Sequence, residues 1–95
     1  MADTDLLELK RTTQFRRDLK RMVKRRLDIN LLHGIIQTLR EQKPLNPKHR
    51  DHALTGDYTG FRECHIEPDW LLIYLIDDKN LILTAARTGT HSDLL

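Results

Sequence analysis

With 95 residues, 39% of them hydrophobic and 32% charged, the chain has the composition of one soluble globular domain, residues 1–95, and not of a disordered protein. A longest apolar run of seven residues excludes a membrane span, the N-terminus does not resemble a signal peptide, and one cysteine excludes an intrachain disulfide, which together predict a cytoplasmic protein without membrane association. The net charge of +2 conceals an asymmetry, because residues 1–50 carry thirteen Lys or Arg against six Asp or Glu, and residues 51–95 carry three against eight.

The N-terminal half predicts a short strand and two helices. LLELKRT, residues 6–12, alternates as a strand does. Thr12 or Thr13 can cap a first helix, and Asp28 can cap a second one that Pro44 ends. The apolar stripes at helical spacing are Phe15, Leu19, Met22 and Val23 in the first helix, and Leu31, Leu32, Ile35, Ile36 and Leu39 in the second. The short connection between the helices favours an antiparallel hairpin.

Positive charge is concentrated at the start of the chain. Between Lys10 and Arg26 there are nine basic residues and one acidic residue, Asp18. At helical spacing the basic side chains face away from the apolar stripe and into water. A field concentrated in this way attracts polyanions.

The C-terminal half predicts an antiparallel meander. Prolines and glycines mark residues 43–60 as a loop. Three strands follow in FRECHIE (61–67), WLLIYLI (70–76) and LILTAAR (81–87), and the gaps between them are too short for anything but hairpins. The continuously apolar strand should be central and covered on one face by the helices. The fold class is therefore α+β, with a short N-terminal strand and an antiparallel helical hairpin packed on an antiparallel sheet.

The strand 61–67 carries polar groups on one face only. Side chains alternate along a strand, so Glu63, His65 and Glu67 share one face and Cys64 points to the other. Cys64 and His65 therefore cannot form a nucleophile and base pair. The expected role of Cys64 is a small buried side chain.

The meander brings further polar groups towards His65. Asp69 lies in the turn before the central strand, and Arg87 and His91 lie at the end of the last strand. Both places are at the same end of the sheet, so Asp69, Trp70, Arg87 and His91 can converge, with His52 in the preceding loop as a further contributor. The topology brings these groups together and leaves their roles open.

Each of these residues also has an ordinary structural explanation. A single histidine is more often a surface or hydrogen-bonded side chain, as we expect for His33 and His49. Trp70 begins a core strand, so packing competes with stacking on a ligand, and Arg87 can be a simple surface cation. Three histidines and an aspartate are adequate zinc ligands. No compact ligand pair is present, however, and we expect neither a metal nor another cofactor.

Such a cluster beside a basic helix suits metal-independent cleavage of RNA. With the 2′-hydroxyl as nucleophile, cleavage needs a base for that hydroxyl, an acid for the departing 5′-oxygen and a cation for the charge on the phosphate. Histidine suits the first two roles and arginine the third. A basic helix face adds phosphate binding that is independent of base sequence.

At DHALTGDYTGFRECHIEPDWLLIY and RTGTHSDLL the sequence resembles the YafQ branch of the RelE/ParE toxin superfamily, and the resemblance covers essentially the whole chain. It implies a RelE-like fold and the toxin of a type II toxin–antitoxin pair. Such a toxin is a ribosome-dependent endonuclease that cuts messenger RNA in the decoding site. The implied partners are the ribosome, with its messenger RNA and 16S rRNA, and an acidic, DNA-binding antitoxin, in a heterotetramer with the toxin.

The resemblance also implies roles for residues that stand in the family motifs. The catalytic residues would be His52, His65, Asp69 and His91, with His91 and Asp69 transferring protons and His52 and His65 positioning the phosphate. Arg87 and Trp70 would bind substrate, and Leu95 stands where relatives often have an aromatic residue that stacks on a base. The residues implied to meet ribosomal RNA or the antitoxin are Lys10, Arg11, Arg16, Arg17, Lys20, Arg21, Lys24 and Arg25.

Two other functions fit the same fold. The ParE branch inhibits DNA gyrase by binding it, and such a protein would not need His91 or Asp69. A basic RNA-binding or partner-binding module with incidental histidines would bind RNA with a strong dependence on salt and cut nothing.

Overall fold

The computed structural model describes residues 5–94 as one five-stranded sheet with helices. The strands stand in the order β1-β5-β4-β3-β2. The elements are β1 (Glu8–Arg11), α1 (Thr13–Lys24), α2 (Ile29–Arg40), β2 (His52–Ala53), β3 (Arg62–Glu67), β4 (Trp70–Asp77), β5 (Ile82–Gly89) and α3 (His91–Leu94), with short 3₁₀ turns at Pro47–His49 and Gly56–Tyr58. The substrate-binding role of Leu95 falls outside the described residues.

The three C-terminal strands confirm the predicted meander. β4 lies in the centre of the sheet and pairs antiparallel with β3 on one side and β5 on the other. β1 joins the far edge parallel to β5, with Glu8 opposite Ile82, a pairing that the local sequence pattern does not reveal. The prediction of a plain loop over residues 43–60 was wrong in one respect. Two of its residues, His52 and Ala53, form the short edge strand β2.

The helices begin where the sequence predicts. Thr12 caps α1 by accepting a hydrogen bond from the amide of Phe15, and Asp28 caps α2 by accepting one from the amide of Asn30. α2 ends at Arg40, four residues before Pro44, because Gln42 adopts a left-handed conformation with φ of 58°. Proline is therefore not what ends this helix.

The predicted apolar stripes were wrong at two positions. Val23 and Leu31 are 55% and 43% exposed, whereas Phe15, Met22 and Leu32 are almost fully buried. In α1 the face towards the sheet includes the buried Asp18 and does not extend as far as Val23. The helical period alone does not show how wide the buried face of each helix is.

The core lies on both faces of the central strand. The larger cluster joins the apolar faces of α1 and α2 to Trp70, Leu72 and Tyr74, and includes Cys64, which is fully buried as predicted. A smaller cluster on the other face contains Leu71 and Ile73 together with residues of the 54–61 segment and α3. Packing from both sides keeps β4 rigid beneath the polar groups of β3. Within residues 5–94 no helix is long and apolar enough to cross a membrane.

Candidate active site

The polar face of β3 carries the centre of the site. Cys64 faces the larger core, so Glu63 and His65 lie on the opposite face, paired with Ile73 and Leu71 of β4. β2 places His52 directly opposite Glu63. At the other end, the β3–β4 turn carries Asp69, and α3 begins with His91 immediately after β5.

Three imidazole rings form a row across this face. The ring centroids of His52 and His65 are 6.4 Å apart, and those of His65 and His91 are 5.7 Å apart. His65 is therefore the middle ring. The structure brings together the four residues that the sequence pointed to, His52, His65, Asp69 and His91, in one cluster at the sheet edge.

Each of the three imidazole rings is anchored through its Nδ1 atom. Nδ1 of His52 donates to the carbonyl oxygen of Arg50 at 2.6 Å, and Nδ1 of His65 donates to that of Pro68 at 3.2 Å. Nδ1 of His91 donates to Oδ1 of Asp69 at 2.6 Å. Because these acceptors require a proton on Nδ1, each neutral ring has its lone pair on Nε2. Each Nε2 can then accept a proton, or donate one when the ring is charged.

Asp69 and His91 form an accessible acid–base pair. Oδ1 of Asp69 also accepts the backbone amide of His91 at 3.0 Å. That backbone hydrogen bond, followed by the one from the His91 ring, lowers the pKa of Asp69 below its ordinary value. The side chains of His91 and Asp69 are 47% and 66% exposed, so a substrate can reach both.

Glu63 also belongs to the cluster, although the sequence analysis did not name it as a site residue. Its Oε1 lies 3.5 Å from Nε2 of His52 and 3.9 Å from Nε2 of His65. The alternation of side chains along β3 places Glu63 on the same face as His65, and this pattern could have predicted that Glu63 lies in the cluster. What the sequence could not show was β2, which brings His52 to the other side of the same carboxylate.

The strand that carries His52 is fixed from the opposite face of the sheet. Asp51 accepts a hydrogen bond from the buried hydroxyl of Tyr74 and another from Nη2 of Arg62 at 3.2 Å. Burial, followed by the contact with Asp51, raises the pKa of Tyr74, so the hydroxyl keeps its proton and remains a donor. A two-residue strand at a sheet edge thus obtains a fixed position from its neighbour Asp51.

Arg87 is held by Asp18, the one acidic residue in the basic stretch between Lys10 and Arg26, to which the sequence assigned no role. Asp18 on α1 is fully buried and accepts hydrogen bonds from Nε of Arg87 at 2.7 Å, Nη2 at 3.3 Å and the amide of Thr88 at 3.1 Å. The hydrogen bond with Asp18 raises the pKa of Arg87. The ion pair engages Nε and Nη2 and leaves Nη1.

Trp70 packs in the core, which was the alternative to ligand binding in the sequence analysis. It is 2% exposed, and its Nε1 donates to Oγ1 of Thr88 at 2.9 Å. Thr88 in turn donates to the carbonyl oxygen of Leu71 at 2.7 Å. The prediction of Trp70 as a substrate-binding residue was wrong for direct stacking, because a buried indole with its N–H engaged presents no face to a ligand.

The C-terminal segment is attached to the basic helix. Asp93 receives hydrogen bonds from Arg25 at 2.7 and 3.0 Å and from the amide of Thr90 at 2.9 Å, and Arg21 lies 3.6 Å away. The contact with Arg25 lowers the pKa of Asp93 well below its usual range. Gly89 permits the close approach, since a Cβ there would lie 2.9 Å from the Cβ of Asp93. This contact fixes the turn that carries His91.

The remaining basic residues of α1 are available for a partner. Of the residues implied to bind ribosomal RNA or an antitoxin, Arg21 and Arg25 approach Asp93. The others on α1 are exposed, namely Arg16, Arg17, Lys20 and Lys24. Lys10 and Arg11 belong to the edge strand β1, where both are exposed. α1 therefore presents a positive surface on the side of the helix that faces away from the sheet.

Comparison with known proteins identifies relatives over almost the whole chain. Residues 7–95 match the model of a family described as the bacterial toxin of a type II toxin–antitoxin system, YafQ. The mRNA interferase toxin YafQ of Escherichia coli K12 is 42% identical over 82 residues, which is 85% of this chain and 87% of that protein. A metal-bound toxin from Helicobacter pylori has a TM-score of 0.89 at 40% identity, covering 95% of this chain and 100% of that one. YafQ in the E. coli DinJ–YafQ complex has a TM-score of 0.85 at 37% identity, covering 94% and 98%.

Proposed function

The chain belongs to the YafQ family of toxins from bacterial type II toxin–antitoxin systems, and from this premise we propose that it cuts messenger RNA at the cluster of His52, His65, Asp69 and His91. As an mRNA interferase it is an endoribonuclease. The observation that carries the assignment of the site is the row of three imidazoles, each anchored through Nδ1 and each presenting Nε2. Unrelated surface histidines would not be expected to share the same anchoring nitrogen and one carboxylate-lined face.

The proposed reaction begins at the 2′-hydroxyl. Nε2 of His91 takes the proton, while Asp69 holds the ring by Nδ1 and stabilises the imidazolium that forms. The 2′-oxygen attacks the adjacent phosphorus, and the bond from phosphorus to the 5′-oxygen breaks. The 5′-oxygen takes a proton from a charged imidazole, which leaves a 2′,3′-cyclic phosphate and a free 5′-hydroxyl. No metal or other cofactor is consumed in this sequence of steps.

His52 and His65 position the phosphate and supply the second proton. Nδ1 of each ring already donates to a carbonyl oxygen, so Nε2 carries a proton only when the ring is charged. Glu63 lies near both Nε2 atoms and can accept from whichever ring is charged. Two rings that share a carboxylate can therefore hold a proton close to the departing oxygen.

Arg87 contributes positive charge through the part of its guanidinium that Asp18 does not engage. Nε and Nη2 are bound to Asp18, so Nη1 is the atom that can reach a phosphate oxygen. The side chain is 21% exposed, which is enough for one such contact. A guanidinium fixed on one side is a preorganised donor for charge that develops in the transition state.

The proposed setting is the ribosomal decoding site in the cytoplasm, where messenger RNA is presented as a single strand. The exposed cations of α1 would bind 16S rRNA without base specificity. The same surface suits the acidic side chains of a DNA-binding antitoxin, and YafQ of E. coli forms a complex with its antitoxin DinJ. A heterotetramer of two toxins and two antitoxins is the proposed inhibited form.

One relative, from Helicobacter pylori, is a metal-bound toxin. Among residues 5–94 of this chain, no three His, Cys, Asp or Glu side chains are arranged so that they could hold a metal ion. The donor set therefore does not fit such an ion, and the proposed reaction uses none.

The test compares two histidine variants on programmed ribosomes. We expect His91→Ala to slow cleavage of end-labelled messenger RNA by roughly 10²- to 10⁴-fold, the usual contribution of a general base. His33→Ala is the matched control, because His33 is exposed on α2 outside the cluster. Equal rates for the two variants would show that the chemistry lies elsewhere.

A further inference from the structure

A second concave surface adjoins the catalytic cluster. A groove of about 900 Å³ lies between α2, the segment 44–50 and the end of β3. His65 and Pro68 line this groove, which lies on the α2 side of the sheet with the core residue Ile66, whereas the His65 ring points to the opposite side. The groove and the cluster therefore meet at the edge formed by residues 65–68, so an RNA strand that leaves the imidazoles over this edge can enter the groove.

The wall of the groove is tied to the catalytic strand. Nδ1 of His49 donates to the backbone carbonyl oxygen of His65 at 2.7 Å. Asn46 accepts the amide of Lys48 at 3.0 Å, which fixes the turn between them. Arg50 adopts a left-handed conformation with φ of 47°, and its carbonyl oxygen holds the ring of His52. The same short segment thus shapes the groove and orients two of the catalytic histidines.

Gly34 shows that the groove is kept open at the expense of helix stability. Glycine within a helix destabilises it relative to alanine, and Gly34 stands in the middle of α2. Its backbone needs no glycine, since its φ lies outside the left-handed region, and a Cβ there would meet nothing within 4 Å. The space that a side chain would occupy is the groove itself.

The chemistry of the groove fits a nucleotide. Its floor includes the buried Ile35 and Ile66 and the 43% exposed Leu31, which is an apolar surface that a base can cover. Lys48 and Arg50 stand on one wall, and both are exposed. Glu67 is the one acidic residue among those that line the groove, so the lining is net positive. The volume is within the range of ligand-binding clefts.

We propose that this groove binds a nucleotide of the messenger RNA that neighbours the scissile phosphate, with its base on the apolar floor and its phosphate near Lys48 and Arg50. The inference rests on the proposed function, because it takes the RNA to lie across the histidines. The shared edge at residues 65–68 favours RNA over an antitoxin segment, since a strand that crosses the imidazoles and leaves over this edge meets the net positive lining, whereas a protein partner has no such connection to the cluster. The groove then contributes to the choice of cleavage site.

The experiment fills the groove without touching the catalytic residues. Gly34→Trp places a large side chain in it, and His33→Trp is the matched control, which adds the same side chain at an exposed neighbour on α2 that does not line the groove. On programmed ribosomes we expect Gly34→Trp to lower kcat/KM at least tenfold and His33→Trp to match the wild type. If Gly34→Trp fails to fold, Gly34→Glu takes its place, because glutamate is a good helix former and adds negative charge to the groove. We expect it to cause the same loss of kcat/KM.

A second substrate tests whether the lost contact is with the neighbouring nucleotide. Messages with an abasic nucleotide on either side of the cut are compared, one side at a time. When the missing base is the one that the groove binds, the wild-type protein should cut the abasic message as slowly as Gly34→Trp cuts the intact message. Gly34→Trp should cut the abasic and the intact message at the same rate. The proposal would be contradicted if the substitution and the abasic nucleotide each slowed cleavage and their effects multiplied in combination. Full activity of both Gly34→Trp and Gly34→Glu on the intact message would also contradict it.

Two further outcomes separate this inference from the proposed function. Loss of antitoxin affinity by Gly34→Trp with normal cleavage would overturn the inference and assign the groove to the antitoxin. Binding of a 2′-deoxy hexanucleotide to the His91→Ala protein is followed through the Gly34 amide resonance. A shift of that resonance, with no cleavage by any form of the protein, would support the groove and refute the nuclease. Absence of a shift, together with full activity of Gly34→Trp, would refute the groove alone.

Discussion

At the scale of single residues, the hydrogen bond between His91 and Asp69 determines which ring nitrogen is free to accept or donate a proton. Oδ1 of Asp69 accepts hydrogen bonds from Nδ1 of His91 at 2.6 Å and from its backbone amide at 3.0 Å, so rotation of the ring would break the first of these contacts. Nε2 is left facing the exposed side of the cluster. An Asp–His pair of this kind supplies both the tautomer and the charge stabilisation that a general base requires.

Replacing Asp69 by Asn tests that pair. The amide keeps the size of the side chain, but it no longer balances the charge of the imidazolium and can turn its NH₂ group towards the ring. We expect Asp69→Asn to slow cleavage on ribosomes by roughly 10²- to 10⁴-fold with an unchanged melting temperature. Asp78→Asn, an equal change of charge at an exposed residue, is the control. Similar rates for the two variants would remove Asp69 from the mechanism.

Glu63 links the two remaining rings, and its removal should slow the reaction. Glu63→Gln is isosteric and uncharged, so charged imidazoles at His52 and His65 lose their nearest carboxylate. We expect single-turnover cleavage on programmed ribosomes to slow about tenfold, the effect of about 1.4 kcal/mol of lost charge stabilisation. Glu8→Gln, the same change at an exposed residue of β1, is the control. Equal rates for Glu63→Gln and Glu8→Gln would make Glu63 a purely structural neighbour.

At the scale of secondary-structure elements, α1 exposes positive charge on one face and holds Arg87 on the other. One face exposes its cations, whereas the face towards the sheet buries Asp18 against Arg87 and Thr88 of β5. Because Asp18 is fully buried, its charge is matched by the arginine and the amide that it contacts. The helix that carries the positive surface therefore also sets the orientation of Arg87.

Asp18→Asn should affect stability and activity together. Loss of the charge leaves Arg87 with one neutral acceptor, and we expect the free energy of unfolding to fall by roughly 1–3 kcal/mol. Cleavage should also slow, because Arg87 is no longer held. The measurement is urea unfolding and ribosomal cleavage of Asp18→Asn, Arg87→Gln and the double variant. If the losses of the two single variants simply add in the double variant, the pair does not act as a unit.

The sequence allowed prediction of the elements whose signal is local. The strands of the meander were located to within two residues, because their apolar runs and short turns leave one antiparallel arrangement. The ion pair between Asp18 and Arg87 joins residues 69 positions apart, and no local pattern reports such a contact. β2 is only two residues long and has no period to detect. Glu63 was missed as a site residue for that reason.

At the scale of the whole molecule, a sheet packed on both faces supports the exposed edge that carries the histidine cluster. β4 is buried from Trp70 to Tyr74, and Cys64 on the neighbouring strand is fully buried. Burial, followed by the negative charges of Asp51 and Glu63, raises the pKa of the Cys64 thiol to about 12. The folded protein therefore disfavours ionisation of this thiol.

This pKa predicts how stability changes at alkaline pH. The unfolded thiol ionises near its ordinary pKa of 9.0 and the folded one near 12, so the unfolded state releases its proton first and stability falls as pH rises above 9. From these two values, the free energy of unfolding should drop by about 0.7 kcal/mol between pH 8.5 and 9.5. Urea titrations at the two pH values measure it. Cys64→Ala, although less stable overall, should lack this component, and an equal drop in both proteins would contradict it.

The most direct test of the proposed catalytic site is cleavage of a message whose scissile nucleotide lacks its 2′-hydroxyl. Purified protein is incubated with end-labelled messenger RNA, with and without programmed ribosomes, and the all-ribose message is compared with one carrying a single 2′-deoxy nucleotide at the cut. We expect the ribose message to be cut on ribosomes to a 2′,3′-cyclic phosphate, and the deoxy message to stay intact at that position. Cleavage of the deoxy message at the same place would contradict the account, because the histidine cluster would then be activating a nucleophile other than the 2′-hydroxyl.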